Sequence, residues 1–255
     1  MSARDSISAA IRNAKKESRP ALVAYMTAGF PTRAGFLDQL HAIAAAADVV
    51  EVGVPFTDPM ADGATIQRSS RAALEQGVSL KWILSELGGR RQSRTPVLLM
   101  SYLNPLLSYG LDTLAADAAR AGVAGFIVPD LTYEESAEMR TALASQDLAL
   151  VQFVTPVTPL DRMKMLSTES GGFIYAVTMT GVTGKNVAVP QDVLDYFDRV
   201  RKVSPVPVCA GFGIRSREQV GRLAPYVDGV IVGSALVEVL ERGDDPAAFL
   251  RSLRE

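Results

Sequence analysis

The chain has 255 residues, with 26 Lys and Arg against 28 Asp and Glu, one His, one Cys and one Trp, and 48% of its residues are hydrophobic. A formal net charge of −2 offers no clustered cationic footprint for nucleic acid or anionic lipid. One Cys excludes an internal disulfide, and one His beside one Cys supplies too few nitrogen and sulfur donors for an ordinary zinc site.

The first segment, MSARDSISAAIRNAKKESRP, is charged throughout and lacks the apolar centre of a signal peptide, so a cytoplasmic protein is expected. A helix is expected over about Asp5 to Ser18, ahead of the first strand. Eight short apolar runs then follow: ALVAYMTAG from Ala21, DVVEVGV from Asp48, PVLLMSY from Pro96, GFIVPD from Gly125, ALVQFVT from Ala149, GFIYAVT from Gly172, VPVCAGF from Val206 and GVIVGSA from Gly229. Their apolarity is continuous rather than alternating, which predicts parallel strands covered on both faces. Helix signals lie between them. Phe36, Leu37, Leu40, Ile43 and Ala44 form one stripe behind a Thr32 cap, Thr132 and Glu135 have the form of a capping box, and Thr158-Pro159 and Ser216 mark two further starts.

Strand starts are spaced 27, 48, 29, 24, 23, 34 and 23 residues apart, which fits one strand and one helix per unit. Eight such units predict an α/β fold, a (β/α)₈ TIM barrel with an extra N-terminal helix, closing its bottom, and inserted loops after strands 2 and 6. The longest uncharged stretch, Thr95 to Leu111, contains Pro96, Asn104, Pro105 and Gly110, which argues against a membrane span. With no biased linker dividing the chain, a single domain over 1–255 is expected.

Chemistry is sought at the carboxyl ends of the strands, where barrels build their active sites. Glu51 stands alone among apolar residues in DVVEVGVPF. A carboxyl facing the barrel interior has a raised pKa and can exchange a proton near neutrality, the alternative being a core Glu paired with Arg or a hydroxyl. In the loop PFTDPMADGATIQ, Asp58 looks like a turn former and Asp62 is the better catalytic candidate. The loop TMTGVTGKN suits a lid or a solvated connection. Glycines end the seventh and eighth strands in GFGI and GSAL, each leading into a helix, the arrangement by which barrels hold phosphate on backbone N–H groups. The lysines fall on helices or loops, which disfavours a Schiff base; Lys185, in the sixth loop, is the one worth testing and reads more simply as a solvated charge. His41 reads as a surface or packing residue and Cys209 as a core filler. Acid–base chemistry by carboxylates on a phosphorylated small molecule remains, with a sugar-phosphate isomerase and a non-catalytic regulatory subunit as rival classes.

The blocks VEVGVPFTDPMADGATIQ, LMSYLNPLLSYG, GFIVPDLTYEE, GFIYAVTMTGVTG, GFGI and GSAL resemble, in order and spacing, those of the tryptophan synthase α subunit family. The resemblance implies retro-aldol cleavage of indole-3-glycerol phosphate to indole and glyceraldehyde 3-phosphate. It implies no metal or organic cofactor, and a pyridoxal-phosphate β subunit as partner in an αββα complex. It implies Glu51 as the acid–base on the glycerol hydroxyl and Asp62 as the carboxylate at the indole N–H. Tyr25 and Tyr175 would wall the indole pocket and Thr183 would orient Asp62. Gly184, Phe212, Gly213, Gly233 and Ser234 would hold the phosphate. Where that family usually reads ADGP this chain has Ala64, which implies altered mobility of the loop rather than lost activity. Stand-alone relatives that release free indole share the same catalytic positions.

Overall fold

The computed structural model describes residues 2–90, 93–178, 189–211 and 213–254. Thr183, Gly184, Lys185 and Phe212 lie outside them, as does most of the sixth loop. All eight apolar runs form strands: β1 (Ala21–Thr27), β2 (Val49–Gly53), β3 (Val97–Met100), β4 (Gly125–Ile127), β5 (Ala149–Val154), β6 (Ile174–Val177), β7 (Val208–Gly211) and β8 (Gly229–Val232). They pair in sequence order, all parallel, and β1 pairs β8 to close the barrel.

Burial on both faces follows from the two sets of side chains along each strand. Leu22, Ala24 and Met26 of β1, with Val50 and Val52 of β2, pack outward against the helices. Ala21 and Val23, with Val49, Leu98, Ala149, Val151, Phe173 and Cys209, fill the lower interior. That interior is closed below by α1 (Ala3–Lys16), which inserts the fully buried Ile7 and Ile11. The N-terminal helix thus lies where the sequence places it, two residues earlier at each end.

The helices are α2 (Phe36–Ala44), α3 (Ala64–Glu75), α4 (Leu80–Gly89), α5 (Leu103–Tyr109), α6 (Leu111–Arg120), α7 (Ala137–Ala144), α8 (Leu160–Glu169), α9 (Gln191–Val203), α10 (Arg217–Leu223), α11 (Ser234–Arg242) and α12 (Pro246–Ser252). One helix per unit is corrected in three places. The long gap after β2 carries α4 as well as a loop, α12 follows α11, and the ordinary gap after β3 carries both α5 and α6. The last two are separated by Gly110, whose φ of +87° ends one helix and starts the next.

Two caps also differ. Thr32 accepts the Gly35 N–H in a turn ahead of α2, whose N-cap is Gly35 without a side-chain bond. Thr132 and Glu135 bond to each other through their side chains in a turn before α7, which starts behind Ser136. α8 begins behind Pro159, one residue past Thr158. Ser216 does cap α10, in a capping box completed by Gln219.

Candidate active site

A cavity of about 500 Å³ opens at the carboxyl ends of the strands, opposite α1. Seven of the residues singled out from the sequence line it: Tyr25, Glu51, Asp62, Tyr175, Gly213, Gly233 and Ser234. Tyr25 and Glu51 are register partners on β1 and β2, one layer above Val23 and Val49. Tyr175 stands across the barrel on β6, its ring 4.9 Å from that of Phe153 on β5.

Glu51 is fully buried, and neither carboxyl oxygen has a hydrogen-bond partner among the described residues. The paired core Glu allowed by the sequence is therefore not what the strand holds. Burial alone pushes its pKa up to about 8, because the charged form loses its water and gains no partner.

Asp62 lies at the end of the loop after β2. Its N–H donates to Pro59 O at 3.1 Å, and its carbonyl accepts the Gln67 side-chain amide at 2.8 Å. Burial pushes its carboxyl up to about 6, while the hydroxyl of Tyr102 draws it downward. Asp58 is exposed, accepts the Thr57 hydroxyl on its carboxylate and the Met60 N–H on its carbonyl, and so makes a turn. Ala64 is the first residue of α3, behind Gly63.

Both pocket tyrosines lie over glycines of the next strand. A Cβ on Gly53 would come within 2.1 Å of the Tyr25 hydroxyl, and one on Gly211 within 2.7 Å of the Tyr175 ring. The Tyr25 hydroxyl bonds Thr27 at 3.3 Å, and Thr27 bonds Ser69 at 2.7 Å, which donates to Ile66 O. Burial raises both phenols well above their usual range, so both stay neutral.

The two glycine-rich turns differ. α10 starts behind a side-chain cap: Ser216 accepts the Gln219 N–H, while the Gln219 side chain accepts from Arg215 and Ser216, which precede the helix. α11 begins at Ser234 behind Gly233, both of which line the cavity, and no side chain caps its first N–H groups. Gly213, at φ +70°, turns the chain beside them.

Sequence reading missed Phe153, Thr155, Met100 and Ile66, which also line the cavity, and Tyr102, which bonds the Asp62 loop. The signal for Phe153, Thr155, Met100 and Tyr102 was position at or just past a strand's carboxyl end, whereas Ile66 lies in the first turn of α3. His41 is exposed, Cys209 is buried, and no group of three His, Cys, Asp or Glu among the described residues could hold a metal ion.

A closed parallel barrel with a cavity and two carboxyls of raised pKa at its open end places the chain in the TIM-barrel class of enzymes. Residues 11–254 match the family model for the tryptophan synthase alpha chain. The tryptophan synthase alpha chain of Nitratidesulfovibrio vulgaris Hildenborough is 44% identical over 247 residues, 96% of each chain. That of Carboxydothermus hydrogenoformans is 44% identical over 232 residues, 89% of this chain and 87% of the relative. Among solved structures, a Mycobacterium tuberculosis tryptophan synthase superposes with a TM-score of 0.89 at 36% identity, covering 97% of this chain and 96% of the other. The α subunit of Legionella pneumophila strain Paris gives 0.89 at 31% identity, covering 100% and 97%. The chain belongs to the tryptophan synthase α chain family, lyases that cleave indole-3-glycerol phosphate to indole and glyceraldehyde 3-phosphate in tryptophan biosynthesis and work with a β subunit.

Proposed function

We propose that Glu51 and Asp62 divide the retro-aldol cleavage between them. Cleavage of the bond between the indole ring and the glycerol chain requires a proton on indole C3, a stabilised cation at the ring nitrogen and loss of the glycerol hydroxyl proton. Glu51, protonated at the start, gives its proton to C3 and then, as carboxylate, takes the hydroxyl proton as the carbon–carbon bond breaks. Asp62, ionised, faces the ring N–H and stabilises the cation. The observation that carries this reading is the fully buried, unpartnered Glu51 sharing one cavity with Asp62.

Tyr25 and Tyr175 wall the ring. The turn at Gly213 and the uncapped start of α11 at Gly233 and Ser234 receive the phosphate on backbone N–H groups, aided by the helix dipole. Thr183, Gly184 and Phe212 complete the site by resemblance alone. The active protonation state, Glu51 neutral and Asp62 charged, spans the interval between about 6 and about 8, so kcat/KM follows a bell with limbs near those values.

The partner is a β subunit in an αββα complex. Exposed Met60, Leu107 and Val157 support it: they lie in segments that follow β2, β3 and β5, on the face where the cavity opens. The whole chain acts as one domain in the cytoplasm, a reading supported by the single closed barrel and by a biosynthetic family; no helix among the described residues is long and apolar enough to cross a membrane.

Steady-state indole release by Glu51→Gln tests the assignment. A fall of about 10²-fold or more is expected for loss of an acid–base group. Retention of more than about a tenth of the wild-type rate overturns it.

A further inference from the structure

Tyr102 is buried beside the site and takes no part in the chemistry above. It lies two residues past the end of β3 and is the N-cap of α5, 5% exposed, and it does not itself line the cavity. Three contacts join it to one loop. Its ring stacks on Phe56 near the loop's start, with centroids 5.3 Å apart and planes at 28°. Its hydroxyl oxygen accepts the Ala61 N–H at 2.8 Å near the loop's end. Having accepted that bond, the hydroxyl has one proton to give, and the next residue along the loop is Asp62, whose carboxyl the same hydroxyl stabilises in its charged form.

The other groups that bear on Asp62 cannot do this. Glu51 on β2 would repel it if ionised, and Tyr25 on β1 and Tyr175 on β6 act on it only through space. Tyr25 already gives its proton along the chain through Thr27 and Ser69. Among the described residues no Lys or Arg forms an ion pair with Asp62. Asp130, on the far side of Tyr102, accepts the Leu103 N–H at 2.9 Å.

We infer that Tyr102 is the positioning residue of Asp62: a strut from the end of β3 that anchors the loop through Phe56 and Ala61 and aims the carboxylate at the substrate's ring N–H. This rests on the role given to Asp62 above, and the test separates the two.

Tyr102→Phe keeps the stacked ring and removes the hydroxyl. In the purified full chain, kcat for indole release falls about tenfold, the scale of one hydrogen bond to a charged group, with KM little changed. The acid limb of the pH profile moves up by about one unit, and the carbon-13 shift of the Asp62 carboxyl titrates with the same displacement, a readout independent of turnover. Asp62→Asn combined with Tyr102→Phe is no slower than Asp62→Asn alone, because both act through one group. If Asp62→Asn is slow while Tyr102→Phe keeps the wild-type rate and the wild-type Asp62 titration, the positioning role is overturned and that of Asp62 stands. If Asp62→Asn itself keeps the wild-type rate, both fall. A Tyr102→Phe loss that adds fully to that of Asp62→Asn shows a merely structural effect and also overturns the proposal.

Discussion

Glu51 carries a proton in the folded chain at a pH where the same carboxyl in an unfolded chain has lost it. Its folded pKa of about 8 lies above the ordinary 4.5, so the stability linked to it is whole below 4.5 and is lost as pH rises through about 8. The loss is on the order of 5 kcal/mol by the size of the shift. Urea melts of wild type and Glu51→Gln between pH 5 and pH 9 should therefore diverge, the variant gaining relative stability upward and the difference levelling above about pH 8. A constant difference across that range would refute an unpartnered buried carboxyl. This residue was legible in the sequence because it is the one carboxylate inside an apolar run, with apolar neighbours on both sides. Gly53 and Gly211 were not, since a glycine's role there depends on which aromatic ring leans over it from another strand. Gly53→Ala forces the Tyr25 ring aside; an overpacking cost of about 1–3 kcal/mol and a raised KM for the phosphorylated substrate are expected in melts and steady-state assays.

At the scale of elements, the strands were readable because a parallel strand covered on both faces must be apolar at every position, and that pattern survives in one dimension. The helix count was less readable. Gly110 divides two helices through a positive φ that composition alone does not reveal, and the Thr132–Glu135 pair has the letters of a capping box while spending its hydrogen bond within a turn. The N-terminal helix follows the amphipathic pattern, but its target is assembled from β1, next in the chain, together with β2 and the turn at Gly172, which are not local. Ile11→Ala should cost about 2–5 kcal/mol in chemical denaturation, as for a fully buried aliphatic side chain, with kcat for indole release unchanged, since α1 closes the end of the barrel away from the cavity. A kcat that fell with stability would mean that the two ends are coupled.

At the scale of the molecule, the cavity and the exposed apolar side chains share one end of the barrel. Met60 is 85%, Val157 76%, Leu160 54% and Leu107 50% exposed, and no other large apolar side chain among the described residues is as open to solvent. Apolar side chains gathered at one end of the barrel suit an interface better than the same side chains spread over the whole surface would. Leu107→Lys with Val157→Lys should weaken association with a β subunit about tenfold or more, read by calorimetry, while indole release by the isolated chain stays at its wild-type rate. Undiminished association would place the partner elsewhere. This face could not be read as an interface from sequence, because a scattered Leu or Val is surface or core only once the loops have been placed.

The pairing of β1 with β8 also sets a schedule for the chain's birth. β1 leaves the ribosome early, yet one of its two edges has no neighbour until β8 has been made, a wait of about 10–40 s at ordinary rates of translation. Through that interval Ala21, Leu22, Val23 and Ala24 present open backbone groups and apolar side chains together, the combination most prone to pair with another nascent chain. The closure that gives the finished barrel no free edge makes its first strand the one that needs shelter longest during synthesis.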